Sequence, residues 1–63
     1  MKYYIIPKQI AELLNLTEIR KGGENGYVVT VGDLAAYGVG KAIENGAREV
    51  SESEAEEFIK NLK

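Results

Sequence analysis

The chain predicts a single small α+β domain, residues 1–63, in which a short two- or three-stranded sheet packs against about three helices. Three observations predict it. Segments 3–6 and 27–31 are runs of aromatic and β-branched residues, the composition of strands. Three other segments repeat apolar residues at the three-and-four spacing of a helix face. No linker, internal repeat or low-complexity tract divides them. They should therefore share one core, with the helices on one side of the sheet.

Tyr3-Tyr4-Ile5-Ile6 opens the chain as a short strand. Its lack of alternation predicts that both of its faces are covered. Pro7 ends it, because proline holds the preceding residue extended and suits the first position of a helix. In the helix that follows, Ile10, Leu13 and Leu14 share a face. Leu16 and Ile19 fall outside that stripe, so the helix should stop near Asn15, which tolerates the left-handed geometry of a C-terminal cap. Leu16 would then fold back on the last turn.

Thr17-Glu18-Ile19-Arg20-Lys21 reads either as an opposing strand or as an irregular loop. A strand there would make a hairpin with a five-residue tip over 22–26, where Asn25-Gly26 is a turn signal. Tyr27-Val28-Val29-Thr30-Val31 is the second strand. A helix should start near Thr30 or Gly32, with Asp33 favourable in its first turn. It is expected to bury Ala35, Val39, Ala42 and Ile43, with Leu34 beside them. Gly38 and Gly40 interrupt the pattern and predict a bend or break, since each costs about 1 kcal/mol against alanine in a helix. Asn45-Gly46 is a stop signal.

Residues 47–50 form a short connector with some strand character. Ser51 and Glu54 then have the spacing of a capping box, flanked by Val50 and Ala55 at the positions of a hydrophobic staple. Ala55, Phe58, Ile59 and Leu62 make a helical stripe over residues 52–62. Acids crowd its first turns and Lys60 and Lys63 its end, which complements the helix dipole.

Composition narrows the chemistry. The chain has no cysteine and no histidine. This removes disulfides, thiolate nucleophiles, Cys-based metal sites, and the commonest general base and metal ligand. A domain of this length buries a small share of its surface, and such folds often gain stability from a partner subunit. A homodimer is therefore expected. The net charge is −2, unevenly spread. Residues 1–41 hold five basic against four acidic side chains, and residues 42–63 three against six. An acidic balance argues against strong nonspecific binding to phosphate. No basic stretch followed by a long apolar run marks a signal peptide, and no run reaches the length of a membrane span, so the default expectation is cytoplasmic and away from membranes.

The motifs that suggest chemistry fall short of it. Gly38-Val39-Gly40-Lys41-Ala42 resembles a phosphate loop, but a Walker loop needs glycine in place of Ala35 and a hydroxyl in place of Ala42. A dinucleotide fingerprint would need glycine in place of Ile43. Glu52, Glu54, Glu56 and Glu57 lie on a helix, which cannot wrap calcium as a tightly turning loop does. Ser51 and Ser53 sit among acids that would suit an acid-directed kinase, but capping already accounts for Ser51. No carboxylate, lysine or tyrosine stands in a recognisable acid/base constellation. No catalytic residue, metal ligand or cofactor is expected, and the chain does not read as an enzyme.

The segment Ile6-Pro7-Lys8-Gln9-Ile10-Ala11-Glu12-Leu13-Leu14-Asn15-Leu16-Thr17 resembles the opening helix of helix-turn-helix proteins of the excisionase and MerR type. The segment from Gly26 to Tyr37 resembles their wing strand and following helix. The resemblance implies a winged-helix-like DNA-binding accessory protein, with contacts from Lys8, Arg20 and Lys21. The recognition helix such proteins insert in the major groove has no counterpart between Leu16 and Gly26 beyond one turn. The leading expectation is instead a small non-enzymatic interaction module that self-associates. Tyr3, Tyr4 and Ile5 are its candidate interface, because an apolar strand is a hazard as an uncovered edge.

Overall fold

The computed structural model describes residues 2–62. Its strands are β1 (Tyr3–Ile6), β2 (Gly22–Gly23), β3 (Gly26–Thr30) and β4 (Arg48–Val50), and its helices are α1 (Lys8–Leu13), α2 (Val31–Leu34), α3 (Val39–Glu44) and α4 (Glu52–Lys60). The sheet is antiparallel throughout, in the order β2-β3-β1-β4. This is the expected α+β domain with one more strand and one more helix.

The register explains why β1 carries no polar residue. Tyr4 faces Val29 and Ile6 faces Tyr27, and these four join one buried cluster with Ile10, Leu16, Leu34 and Ala42 from the α1–α3 side. Ile5 faces Val28 and Tyr3 faces Val50. They belong to a second cluster, closed by Ala55, Phe58 and Ile59 of α4. Alternate residues of a strand point to opposite faces, and here both faces are covered. The helices therefore flank the sheet on both sides and do not gather on one, as the sequence suggested.

Two helices end in the same way. After α1, Asn15 takes a left-handed φ of 60°, the Leu16 N–H donates to Ala11 O at 2.8 Å, and the Asn15 N–H donates to Glu12 O at 3.1 Å. After α3, Gly46 takes φ 110°, with matching bonds from Ala47 to Ala42 and from Gly46 to Ile43. Both are Schellman caps. Each turns a buried residue, Leu16 or Ala47, back into the larger cluster.

The helix expected to start near Thr30 or Gly32 breaks before Val39, in line with the expected interruption at the glycines, into α2 and α3. Gly38 has φ 103°, a value that L side chains rarely adopt, and it takes the chain out of helical geometry. The break resets the phase of the apolar stripe. Leu34 and Ala42 are fully buried and Val39 is half-buried, whereas Ala35 and Ile43, expected in the core, are exposed. Thr30 caps α2 reciprocally with Asp33.

The hairpin exists, and of the two readings open for residues 17–21, strand or irregular loop, the structure takes the irregular one. Residues 17–20 form turns on the end of α1, with the Arg20 N–H donating to Leu16 O at 2.8 Å. The first strand is the glycine pair itself, and the tip is only Glu24-Asn25. Glycine is required at position 22 because the Tyr27 ring lies across it, where any Cβ would collide. Weak glycine strands are known to be steadied by an aromatic ring laid over them in this way.

On the opposite face, Ser51 and Glu54 form the expected capping box at the start of α4. Val50 and Ala55 are buried together there. Of the basic residues placed at its end, Lys60 stands in the last turn and Lys63 lies outside the described residues.

Candidate functional site

The expected interface strand is the centre of the sheet. Tyr4 and Ile5 are buried, and both edges of β1 are hydrogen-bonded, to β3 and to β4. Only Tyr3 keeps partial exposure. The uncovered edge that motivated Tyr3, Tyr4 and Ile5 as an interface is filled from within the chain, so β1 is not a docking strand.

The true sheet edges are also poor docking strands. β2 has two residues and β4 has three. The Val28 N–H donates outward to Lys21 O, so Ile5, its partner, directs its backbone groups to Arg48. Glu49 is then the one residue of β4 whose backbone faces outward. A second β4 docked there would bring two Glu49 side chains together, and short charged edges of this kind resist strand addition.

The three cations of the DNA-binding alternative do not form one patch, and two of them are held in ion pairs. Lys8 donates to Glu24 at 2.8 Å, beside the hairpin tip. Arg20 grips Asp33 with its Nε at 2.7 Å and Nη2 at 2.9 Å, at the far end of β3. The hydrogen bond to Glu24 is the main reason the Lys8 ammonium is held above its ordinary pKa, and its counterpart holds the Glu24 carboxyl below. For Asp33, burial pushes the carboxyl up, but hydrogen bonds from Arg20 and from the Thr30 N–H outweigh it and hold it below the usual value. Lys21 alone stands without a carboxylate partner among the described residues. Turns occupy residues 17–20, where the resemblance would require a recognition helix.

The open grooves of the surface include one of about 340 Å³ at the hairpin tip, lined by Gly23, Glu24, Asn25, Asn61 and Leu62, and two others. The larger, about 470 Å³, lies at the end of β1 between Pro7, Lys8, Glu12, Glu24, Arg48 and Phe58. Its charges are mixed in sign and the Lys8–Glu24 pair spans two of its walls. The smaller, about 240 Å³, runs on the α4 face beside β3. Tyr3, Val28 and Ile59 line it, and Ile19, Arg20 and Lys21 form one wall. Ile19 is 66% exposed and stands over this groove. Ile59 is the α4 residue that lines the groove, and it brings the flank of that helix beside it. Glu56 precedes Ile59 by three residues and Glu52 by seven, the spacing that places all three on one side of a helix. Both glutamates are exposed.

Sequence reasoning passed over Ile19 as a site. The available signal was its mismatch: a large apolar residue outside the α1 stripe, in a polar segment, with no strand to bury it. Leu13 (67% exposed) was assigned to the helix's inner face but points to solvent, because Ile10, Ala11 and Leu14 fill the contact with the sheet.

Among the described residues no three His, Cys, Asp or Glu side chains gather as metal ligands, no polar or charged residue is buried, and no helix is long and apolar enough to cross a membrane. The fold and surface define a class: a four-stranded antiparallel α+β domain with helices on both faces and an apolar groove on the thinner one. No protein-family model, curated protein or solved structure matches the chain.

Proposed function

We propose that the chain is a small non-enzymatic interaction module that self-associates. The observation that carries this reading is the apolar surface left outside a well-filled core. Leu13, Ile19, Val31 and Ile43 are all exposed, in a domain that buries every apolar residue of its central strand except Tyr3. Scattered exposed leucines need no explanation. An exposed isoleucine standing over an apolar groove resembles the anchor-and-pocket arrangement of protein interfaces. The side-chain polar contacts at Thr30, Ser51, Lys8 and Arg20 serve the fold, as caps and as ion pairs that tie loops to helices.

Sedimentation equilibrium from micromolar to millimolar concentration tests the reading. A reversible rise in mean mass with concentration is expected. A mass that stays monomeric throughout, with the native circular dichroism spectrum, would remove self-association from the function.

A further inference from the structure

We propose that two copies of the chain meet at the groove beside Ile19, about a two-fold axis that sets the Lys21 wall of each copy against the Glu52–Glu56 wall of the other. The inference rests on the self-association proposed above and names its surface.

The groove has an apolar floor and walls of opposite charge. Tyr3, Val28 and Ile59 form the floor. On one side stand Arg20 and Lys21, and since Arg20 is committed to Asp33, Lys21 supplies the free positive charge. On the other side α4 presents Glu52 and Glu56, neither in an ion pair among the described residues. A purely acidic partner would be drawn to Lys21 and repelled by α4. A purely basic partner would meet the reverse. A second copy turned through a two-fold axis matches both walls at once, because an isologous interface presents the same patch twice in opposite orientation. The same rotation brings the Ile19 side chain of each copy to the apolar floor of the other.

Neither the sheet edges nor the larger groove competes with this surface for self-pairing. The sheet edges are too short and too charged, as described above. The larger groove is lined by charges of mixed sign and spanned by the Lys8–Glu24 pair. The chain exposes 4279 Å² in all. A standard interface takes about 800 Å² from each partner, nearly a fifth of that surface. The interface must therefore reach beyond the groove to both charged walls, and such a dimer should be of micromolar strength and weakened by salt.

The test uses three exposed positions whose substitution leaves the core untouched: Ile19→Asp, Lys21→Glu and Glu56→Lys. Circular dichroism and thermal melting confirm that each variant is folded. Sedimentation velocity of the wild type should show a concentration-dependent dimer. Ile19→Asp should weaken it at least about tenfold, as loss of a central anchor does. Lys21→Glu and Glu56→Lys should each weaken it severalfold, because each places like charges across the axis twice. Mixed together, these two variants should form a heterodimer stronger than either variant forms alone, since the wall altered in one copy then meets the wall altered in the other. A wild type that dimerises equally with all three variants would overturn the surface and leave the module reading standing. A wild type that stays monomeric at millimolar concentration would overturn both. Two singly weakened variants that fail to recover on mixing would overturn the two-fold pairing of the walls.

Discussion

The two faces of the sheet are built differently. The face toward α1, α2 and α3 buries ten residues, among them Ile6, Leu34 and Val29, the largest side chains shut completely from solvent. The face toward α4 buries four and leaves Tyr3, Phe58 and Ile59 partly open. One face is closed by three short helices that could not stand alone, since helices of four to six residues are held by packing and not by propensity. The other is covered by one longer helix with its own capping box and charge pattern. A helix whose ends are steadied by its own cap and charges needs less enclosure, and its flanks remain available. The thick face sets the fold, and the thin face, with its groove, is where a partner can be received.

The sharpest way to break this contrast is to remove equal chemistry from each face. Leu34→Ala should cost about 3 kcal/mol, the middle of the range for a large aliphatic side chain lost from a filled core. For a domain this small that is a large share of its total stability. Ile59→Ala removes a partly exposed side chain from the other face and should cost about 1 kcal/mol or less. Urea unfolding midpoints of the two variants check the ordering. Equal losses would mean that the α4 face is as much a core as the other.

A smaller effect separates the two Schellman caps. Gly46 and Asn15 both hold a positive φ. A Cβ at Gly46 would stand 3.0 Å from Pro7 Cγ, so Gly46→Ala combines backbone strain with crowding and should cost about 1 to 2 kcal/mol. Asn15→Gly relaxes the same conformation and should change stability by a few tenths at most. Ser51→Ala falls between them, at about 1 kcal/mol. Its loss should be felt on the thin face alone, as faster hydrogen exchange of α4 amides with the α1–α3 core unchanged.

Much of this architecture was legible in the sequence because its signals are local. The Ser51–Glu54 box, the Asn15 and Gly46 caps and the unbroken apolar run of β1 each need only a few adjacent residues to be read. What was illegible depends on partners distant in sequence. That Gly22-Gly23 is a strand follows from the Tyr27 ring five residues on. That Tyr3, Tyr4 and Ile5 lie at the centre of the sheet follows from the pairing of β4, whose three residues have almost no strand signature. The phase shift that exposes Ile43 follows from the degree to which Gly38 turns the chain, which composition cannot give. The groove was the least visible feature. Its floor and walls come from β1, β3, α4 and the 19–21 turn, and only the sheet register brings them together.

The finest test concerns the seam between the faces, where the turn that carries Ile19 is tied to α2 by Arg20 and Asp33. The Asp33 carboxyl is held below its ordinary pKa in the fold. A group with a depressed folded pKa contributes stability that is complete above its unfolded value and lost as pH falls through the folded one. The clamp should therefore act fully at neutral pH and fade below about pH 4, where an unperturbed aspartate protonates. Arg20→Ala should lower the urea midpoint at pH 7 by an amount equivalent to about 1 kcal/mol. Below about pH 4 the gap between variant and wild type should narrow progressively as the pH falls toward the lowered pKa of folded Asp33. Lys8→Ala, which removes the ion pair between α1 and the hairpin tip, should move the midpoint neither at pH 7 nor in acid, because Lys8 and Glu24 meet in open solvent where such pairs are screened. Following the Ile19 methyl resonances through the same titration connects this to the groove. If the clamp positions that wall, those resonances should shift with Asp33 in the wild type and lose that titration in Arg20→Ala. Identical titration in both proteins would show that the 17–20 turns hold Ile19 in place on their own backbone bonds to Leu16, and that the thin face is more rigid than its open edges suggest.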